Sequence, residues 1–271
     1  MPRIAVNGAD LYYEDTGGPG PPIVFAHGLL MSGRMFDAQI AALRSRYRCI
    51  AYDHRGQGES AVTAGGYDMD TVAEDAAALI RALDIGPCHF VGLSMGGFAG
   101  MRLAARTSAL IRSLTLIATA ATAVSSWDKT RYAALGFFAR TFGMRVVVGE
   151  AMKAMFGRTF LEDPTREGAR LEMRARLLAI NLDGALRALR GVTGRAPIER
   201  ELPAIRCPTL VLSGEEDRTI APELSRRTAG LIAGARFQLM PRVGHTATVE
   251  EPRAVTEAIV EFLAGMEPRA A

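Results

Sequence analysis

The segment Gly92-Leu93-Ser94-Met95-Gly96 follows a short apolar run, Cys88 to Val91, and precedes a run rich in small residues, Gly97 to Arg106. The apolar run predicts a buried strand and the second run predicts a helix, so the pentapeptide lies where a strand turns sharply into a helix. Its glycines leave room for that turn, which places the Ser94 hydroxyl at its apex. The N-terminal N–H groups of the helix favour negative charge at the same point. We therefore predict that Ser94 is a catalytic nucleophile rather than part of a packing turn.

A serine nucleophile needs a general base, and the chain has four histidines. His27 follows an apolar strand and precedes a glycine, which favours a loop that binds an oxyanion. His54 lies in a glycine-rich turn, and His89 lies inside the strand that leads to Ser94. His245 lies in a loop between a predicted strand and the last predicted helix. This comparison leaves His245 as the predicted base.

The base needs a carboxylate that orients its imidazole ring. The run Cys207 to Leu212 predicts a buried strand, and it opens into Ser213-Gly214-Glu215-Glu216-Asp217. The glycine permits a turn that brings Asp217 back over the ends of the strands. The loop after the preceding predicted strand, residues 118–123, contains no carboxylate. Asp217 is therefore the predicted acid.

These residues belong to five motifs that follow one another along the chain. The nucleophile, the acid and the histidine also occur in the order that is typical of α/β-hydrolases. On this basis the sequence resembles the α/β-hydrolase superfamily over nearly its whole length. The motifs are His27-Gly28, Asp53-His54-Arg55-Gly56-Gln57-Gly58-Glu59-Ser60, Gly92 to Gly97, Gly214 to Asp217 and Gly244-His245.

The resemblance implies an oxyanion hole formed by two backbone N–H groups. One would come from Leu29, in the loop after His27-Gly28, and the other from Met95, directly after the nucleophile. A tetrahedral intermediate carries negative charge on its oxygen, and one such donor stabilises it by roughly 3–4 kcal/mol.

Predicted strands and helices alternate along most of the chain. This alternation indicates a mostly parallel sheet of eight strands with right-handed crossovers, in which ligands bind at the carboxyl ends of the strands. Ser94, Asp217, His245 and His27 all follow predicted strand ends. The predicted strands cover residues 3–6, 11–14, 23–26, 48–52, 88–93, 113–117, 208–212 and 236–240, and the helices cover 34–44, 71–83, 95–106, 222–232 and 252–265.

Between about Thr122 and Leu202 the strand pattern gives way to helical segments around 127–142, 145–156, 165–181 and 183–192. They resemble the cap that many α/β-hydrolases insert at this point. The predicted organisation is a core of residues 1–121 and 203–271 with a helical cap of residues 122–202. Most apolar side chains of the cap are expected to form its own core, and some to line an apolar pocket above the nucleophile. The predicted substrate-binding residues are Trp127, Phe138, Met152 and Met155.

Composition excludes several other classes of protein. With 271 residues, 49% hydrophobic residues and a net charge of +3, the chain has the size and balance of one α/β domain with an insertion. No basic run with interleaved aromatics indicates a nucleic-acid partner, no apolar stretch reaches the ~20 residues of a membrane span, and no His/Cys cluster predicts a metal. No cofactor is predicted. Residues 1–8 are typical of a strand and turn rather than a targeting signal, and Cys49, Cys88 and Cys207 are typical of free thiols in a reducing compartment, which together predict a cytoplasmic enzyme.

The predicted reaction is hydrolysis of a small, fairly apolar carboxylic ester or lactone through an acyl-enzyme on Ser94. The stretch Val91 to Gly97 and the Asp53 turn are similar to 3-oxoadipate enol-lactonases, although the loop after His27 leaves that assignment open. Hydrolases of C–C bonds typically have a glycine-rich oxyanion loop and an aromatic residue after the base, whereas this chain has Leu29-Leu30 and Thr246-Ala247. Cofactor-free haloperoxidases and perhydrolases usually have Trp-Pro in the oxyanion loop. A transacylase and a non-enzymatic ligand receptor remain as alternatives, and the oligomeric state is not predicted.

Overall fold

The computed structural model describes residues 2–266 and has one eight-stranded sheet in the order β1-β2-β4-β3-β5-β6-β7-β8. The β1–β2 and β2–β4 pairs are antiparallel and the remaining pairs are parallel, which confirms the predicted sheet. The strands are β1 (Arg3–Val6), β2 (Ala9–Asp15), β3 (Pro22–Ala26), β4 (Arg48–Tyr52), β5 (Cys88–Leu93), β6 (Ile111–Ile117), β7 (Thr209–Gly214) and β8 (Arg236–Met240).

The central strands are continuously apolar because both of their faces are covered. Every residue of β5 and of β7 is buried. In the register of the sheet, Ala26, Gly92 and Leu116 lie side by side, and Gly214 lies beside Met240. The loops that follow β3, β5, β6, β7 and β8 therefore leave the same edge of the sheet, and these loops include the predicted site residues.

Helices cover both faces of the sheet. On one face, apolar side chains of α2, α3 and α9 pack in a buried cluster, and on the other face those of α1 and α11 do so. No helix within residues 2–266 combines the length and apolarity needed to cross a membrane. The helices outside the insertion are α1 (Asp37–Leu43), α2 (Met69–Ala82), α3 (Met95–Arg106), α9 (Pro222–Gly230), α10 (Ala247–Glu250) and α11 (Pro252–Ala264).

The chain between β6 and β7 is helical, and we call residues 122–202 the helical insertion. The sequence pattern predicted its main helices, but not the short α6. A separate apolar cluster lies inside the insertion and includes Met152, Phe156, Phe160, Met173 and Leu177. Its helices are α4 (Ser126–Phe142), α5 (Val148–Met155), α6 (Arg158–Glu162), α7 (Glu167–Leu178) and α8 (Leu182–Gly194).

The insertion lies against the core through direct contacts between backbones. A Cβ atom on Gly191 of α8 would lie 1.7 Å from the carbonyl oxygen of Tyr67, and one on Gly184 would lie 1.9 Å from that of Gly56. On the other side of the site, a Cβ on Gly244 would lie 2.0 Å from the Gly157 nitrogen. No other residue type fits these approaches without a shift of the backbone.

Candidate active site

Ser94 occupies the sharp turn between β5 and α3. Its φ of 50° and ψ of −107° are unusual for a residue with a side chain, and its N–H donates to the carbonyl of Ile117 at 2.8 Å. A Cβ on Gly96 would lie 2.0 Å from the carbonyl oxygen of Ala26, so the turn needs a glycine there. The strained backbone holds the serine at the carboxyl edge of the sheet, at the N-terminus of α3.

Asp217 and His245 form a buried pair in the loops after β7 and β8. Nδ1 of His245 lies 2.8 Å from Oδ2 of Asp217, and both residues are buried. The other carboxylate oxygen accepts the N–H groups of Thr219 at 2.8 Å and Ile220 at 2.9 Å. A carboxylate held in this way favours the tautomer with the proton on Nδ1, which leaves the Nε2 lone pair free to accept a proton.

The loop of His245 is fixed from both of its sides. The carbonyl of Met155 accepts both the N–H and the hydroxyl of Thr246, at 2.9 Å and 2.7 Å. The carboxylate of Glu250 accepts the N–H groups of Gly157, Gly244 and Thr246 at 2.9, 2.9 and 3.1 Å. Burial raises the pKa of Glu250 to about 7, against the opposing effect of these three donors. The histidine is therefore positioned by the helical insertion as well as by the core.

Ser94 and His245 line the same cavity, which has a volume of about 390 Å³. Among the described residues no hydrogen bond joins their side chains, and such bonds are often incomplete before a substrate binds. The walls are mostly apolar and come from both the core and the helical insertion. They include Phe98, Leu135, Ala139, Met155, Ala185 and Leu189.

The loop after β3 has a free N–H group, that of Leu29, a residue that lines the same cavity as Ser94. Within residues 2–266 neither the Leu29 N–H nor the Met95 N–H has a hydrogen-bond acceptor. The neighbouring Leu30 has a φ of 66°, and its N–H donates to Oε1 of Gln57 at 2.8 Å. Nε2 of Gln57 lies 3.4 Å from the sulfur of Met95. Gln57 thus connects the two segments that carry the free N–H groups.

His27 and His54 contact the backbone at the start of the loop after β3. Nε2 of His27 accepts the His54 N–H at 2.9 Å, and its Nδ1 lies 2.7 Å from the carbonyl oxygen of Gly28. These contacts need a neutral ring with its proton on Nδ1. Burial lowers the pKa of both histidines, which agrees with the neutral form. Nε2 of His54 in turn lies 3.1 Å from the carbonyl oxygen of His27, so both side chains support the loop.

Of the four predicted substrate-binding residues, Met155 lines the cavity and the other three do not. Trp127 and Phe138 lie on the outer face of α4, where they are 77% and 47% exposed, so the expectation that they line the cavity is corrected. Met152 belongs to the apolar cluster of the helical insertion, whereas Met155 lines the cavity. The residues of α4 that line the cavity are instead Asp128, Tyr132, Leu135, Gly136 and Ala139.

Three residues of the site were missed by sequence reasoning. Gln57 lies in the glycine-rich turn that the sequence singled out, but nothing in the pattern shows where its side chain points. Tyr132 lines the cavity, and burial raises the pKa of its hydroxyl. Arg195 follows the last turn of α8 and lines the cavity although it is 7% exposed. The local sequence does not distinguish Arg195 from the neighbouring Arg190 and Arg200.

No group of three or more His, Cys, Asp or Glu side chains in the described part of the chain is placed to hold a metal ion. The cysteines at positions 49, 88 and 207 are free thiols. Burial raises the pKa of Cys49 and of Cys88 to about 12, which makes both poor nucleophiles.

Comparison with known proteins agrees with this geometry. A model of the alpha/beta hydrolase fold family matches residues 21–252. A protein of Mycobacterium tuberculosis H37Rv, named provisionally as the non-heme bromoperoxidase BpoC, is 32% identical over 269 residues, covering 95% of this chain and 99% of the relative. The chain therefore belongs to the α/β-hydrolase family of enzymes.

Two solved structures are similar over the full length. The enol-lactonase of Burkholderia xenovorans LB400 has a TM-score of 0.90 and 31% identity, covering 97% of this chain and 100% of that structure. A thermophilic esterase of Thermogutta terrifontis, solved with malate bound, has a TM-score of 0.89 and 30% identity, covering 98% and 99%.

Proposed function

We propose that this protein is a serine hydrolase that cleaves a carboxylic ester or lactone of a small, largely apolar substrate through an acyl-enzyme on Ser94. The observation that carries the proposal is that Ser94, Leu29 and His245 line one cavity, with Asp217 2.8 Å from His245 and the free N–H of Met95 directly after Ser94. This set of groups is what acyl transfer by a serine requires.

In the proposed mechanism, Nε2 of His245 takes the hydroxyl proton of Ser94 as the oxygen attacks the substrate carbonyl. The N–H groups of Leu29 and Met95 stabilise the resulting oxyanion, and His245 then gives its proton to the leaving alkoxide. Water attacks the acyl-enzyme in the second half, with His245 again acting as base and acid. Asp217 stabilises the imidazolium in both halves.

The cavity supports the choice of substrate class. Its volume of about 390 Å³ and its mostly apolar walls suit a compact apolar ester, and the similar structures named as a lactonase and an esterase act in the same class. In this scheme the helical insertion acts as a cap over Ser94, and the reaction requires no cofactor. The free cysteines support a cytoplasmic location.

A second candidate activity follows from the relative named as a bromoperoxidase. Hydrogen peroxide can replace water in the attack on the acyl-enzyme, which gives a peracid and free Ser94. The peracid can then oxidise bromide in solution. The ratio of peracid to acid formed from one ester at increasing peroxide concentration measures this activity, and it needs the same nucleophile.

The test is steady-state hydrolysis of p-nitrophenyl esters from acetate to octanoate, with Ser94→Ala as the control. We expect multiple turnover in the natural chain and a loss of about 10⁴-fold or more in the variant. Covalent labelling by a phosphonate, detected as a mass increase on the peptide that contains Ser94, reports the nucleophile without turnover. Equal rates in both proteins, together with no labelling, would refute the proposal.

A further inference from the structure

Three arginines are buried within residues 2–266, and one of them differs from the other two. Arg55 forms an ion pair with Asp75 at 2.5 Å, and Arg102 forms one with Asp70 at 2.6 Å. Arg195 is 7% exposed, and no carboxylate of the described chain lies within ion-pair distance of it. The fold therefore neutralises two of its buried guanidinium groups and leaves the third without an opposite charge.

The guanidinium of Arg195 is held in place by neutral groups. Its Nε donates to the carbonyl of Thr122 at 3.1 Å and its Nη1 to that of Val192 at 3.0 Å. Its central carbon lies 4.0 Å from the centre of the Phe98 ring, at the distance of a cation–π contact. Its Nη2 has no acceptor among residues 2–266. The arrangement fixes the orientation of the group and leaves one nitrogen unused.

This unused nitrogen belongs to a residue in the wall of the catalytic cavity. Arg195 and Phe98 both line that cavity with Ser94, and the Phe98 N–H donates to the Ser94 carbonyl at 2.9 Å, one turn along α3. Two carboxylates, Asp128 and Glu150, also line the cavity, but Asp128 accepts the Ser125 hydroxyl and Glu150 pairs with Lys153. Arg195 is thus a fixed positive charge beside a mostly apolar space.

A buried cation without a counter-ion is costly, because carbonyl dipoles replace only part of its hydration. Burial, together with the nearby charge of Arg102, lowers the pKa of Arg195 to about 10. A neutral donor would be enough to form hydrogen bonds with two carbonyl groups, so this role alone does not explain a charged side chain here. An anion that enters the cavity would gain a charge-assisted hydrogen bond and would restore electrical balance.

We propose that Arg195 binds a carboxylate carried by the substrate at a distance from the bond that is cleaved. This inference rests on the proposed function and narrows it: the substrate is an ester or lactone whose apolar chain also bears a free carboxylate. The apolar walls hold the chain, Arg195 holds the charged end, and the scissile carbonyl lies at Ser94.

The test measures binding rather than turnover, so that it does not depend on the hydrolytic step. In a Ser94→Ala background, calorimetry compares monomethyl succinate, glutarate and adipate with methyl butyrate, valerate and hexanoate, which match them in chain length. A second comparison places the carboxylate on the alcohol side, with 4-acetoxybutanoate against butyl acetate. At about pH 8 the free carboxylates are fully ionised.

We expect the anionic member to bind about tenfold or more tightly in at least one comparison, as a charge-assisted hydrogen bond in an apolar site predicts. Adding Arg195→Met, which keeps an unbranched side chain without the charge, should reduce that ratio to about one. Adding Arg190→Met, which removes an exposed positive charge from α8, should leave the ratio unchanged. Arg195→Lys keeps a charge and should retain part of the preference.

Equal binding of charged and neutral esters in the Ser94→Ala protein would overturn the proposal before any change at Arg195 is made. A preference that survives Arg195→Met would also overturn it. The proposed function fails separately, if the tightest-binding ester is not turned over by the natural chain in a Ser94-dependent way.

Discussion

At the scale of single residues, the loop after β3, which we propose forms part of the oxyanion hole, is held by a side chain that lies outside it. Gln57 is buried and accepts the Leu30 N–H at 2.8 Å, one residue beyond the free N–H of Leu29. Gln57→Leu should therefore lower kcat for ester hydrolysis about tenfold, less than the loss of a whole oxyanion donor, with KM changed less than threefold. The measurement is the steady-state rate on p-nitrophenyl butyrate.

Glu59→Gln is the matched control, because Glu59 is exposed in the same turn. It should leave both constants unchanged. A Gln57→Leu protein that folds normally and keeps the natural kcat would show that the loop holds its shape without this hydrogen bond.

Site residues that directly follow a strand could be predicted from the sequence. Site residues whose side chains reach the cavity from more distant segments could not. Ser94, Asp217 and His245 each follow a strand end, so motif order was enough to select them as candidates. Gln57 and Arg195 reach the site from a turn and from the end of a helix. Their contacts depend on how two distant segments pack, which the local sequence does not encode.

At the scale of elements, the glycines of α8 allow its backbone to approach the core closely. A Cβ on Gly191 would meet the Tyr67 carbonyl oxygen at 1.7 Å, and this backbone atom cannot move aside alone. Gly191→Ala should lower the free energy of unfolding by about 1–3 kcal/mol, the usual cost of overpacking. It should also raise KM, because α8 contributes to the wall of the cavity. Denaturant unfolding and ester kinetics check the two effects.

Gly194 provides the comparison within the same helix. It has no atom within 4 Å of the position of a Cβ, so Gly194→Ala should change the free energy of unfolding by less than about 0.5 kcal/mol. Similar losses in both variants would mean that the helix, and not its contact with the core, responds to the substitution.

The helix α4 shows where sequence reasoning about elements reached its limit. Its bounds are close to the predicted ones, but its orientation is the opposite of what its aromatic residues indicated. Phe138 contacts both Phe137 and Phe142, and all three are exposed, whereas the cavity face includes small residues such as Gly136 and Ala139. Large apolar side chains usually mark the buried face, and here the space for a ligand requires the reverse.

At the scale of the whole molecule, a buried carboxylate makes stability depend on pH. The pKa of Glu250 is raised from 4.5 to about 7 by burial, so between these values the folded protein holds a proton that the unfolded chain releases. Its contribution to the free energy of unfolding is therefore largest below about pH 4.5 and decreases as the pH rises toward 7, by up to ~1.4 kcal/mol per pH unit.

The measurement is urea unfolding from pH 5 to pH 8 for the natural chain and for Glu250→Gln. We expect the free energy of unfolding of the natural chain, minus that of Glu250→Gln, to decrease as the pH rises toward 7. The other titrating groups are common to both proteins and cancel in this difference. Glu257→Gln, at a carboxylate whose side chain is 63% exposed, should show no such shift. A difference that is constant across the range would contradict the raised pKa.

The fold as a whole was predictable because strands and helices alternate and the motifs occur in a fixed order. The contacts between the helical insertion and the loop of His245 were not predictable. On the side of the insertion, those to Thr246 and to the Glu250 carboxylate use the carbonyl of Met155 and the N–H of Gly157, and such backbone groups are the same at every position of a sequence.

The same contacts limit how this enzyme can be recombined with its relatives. If residues 122–202 were replaced by the corresponding segment of another family member, the Thr246 and Glu250 contacts would have to be formed by chance. His245 would then lose part of its support even though Ser94, Asp217 and His245 had all been kept. A recombination that keeps these contacts must therefore transfer the insertion together with residues 244–250, and a crossover point between them separates the insertion from the histidine that it helps to hold.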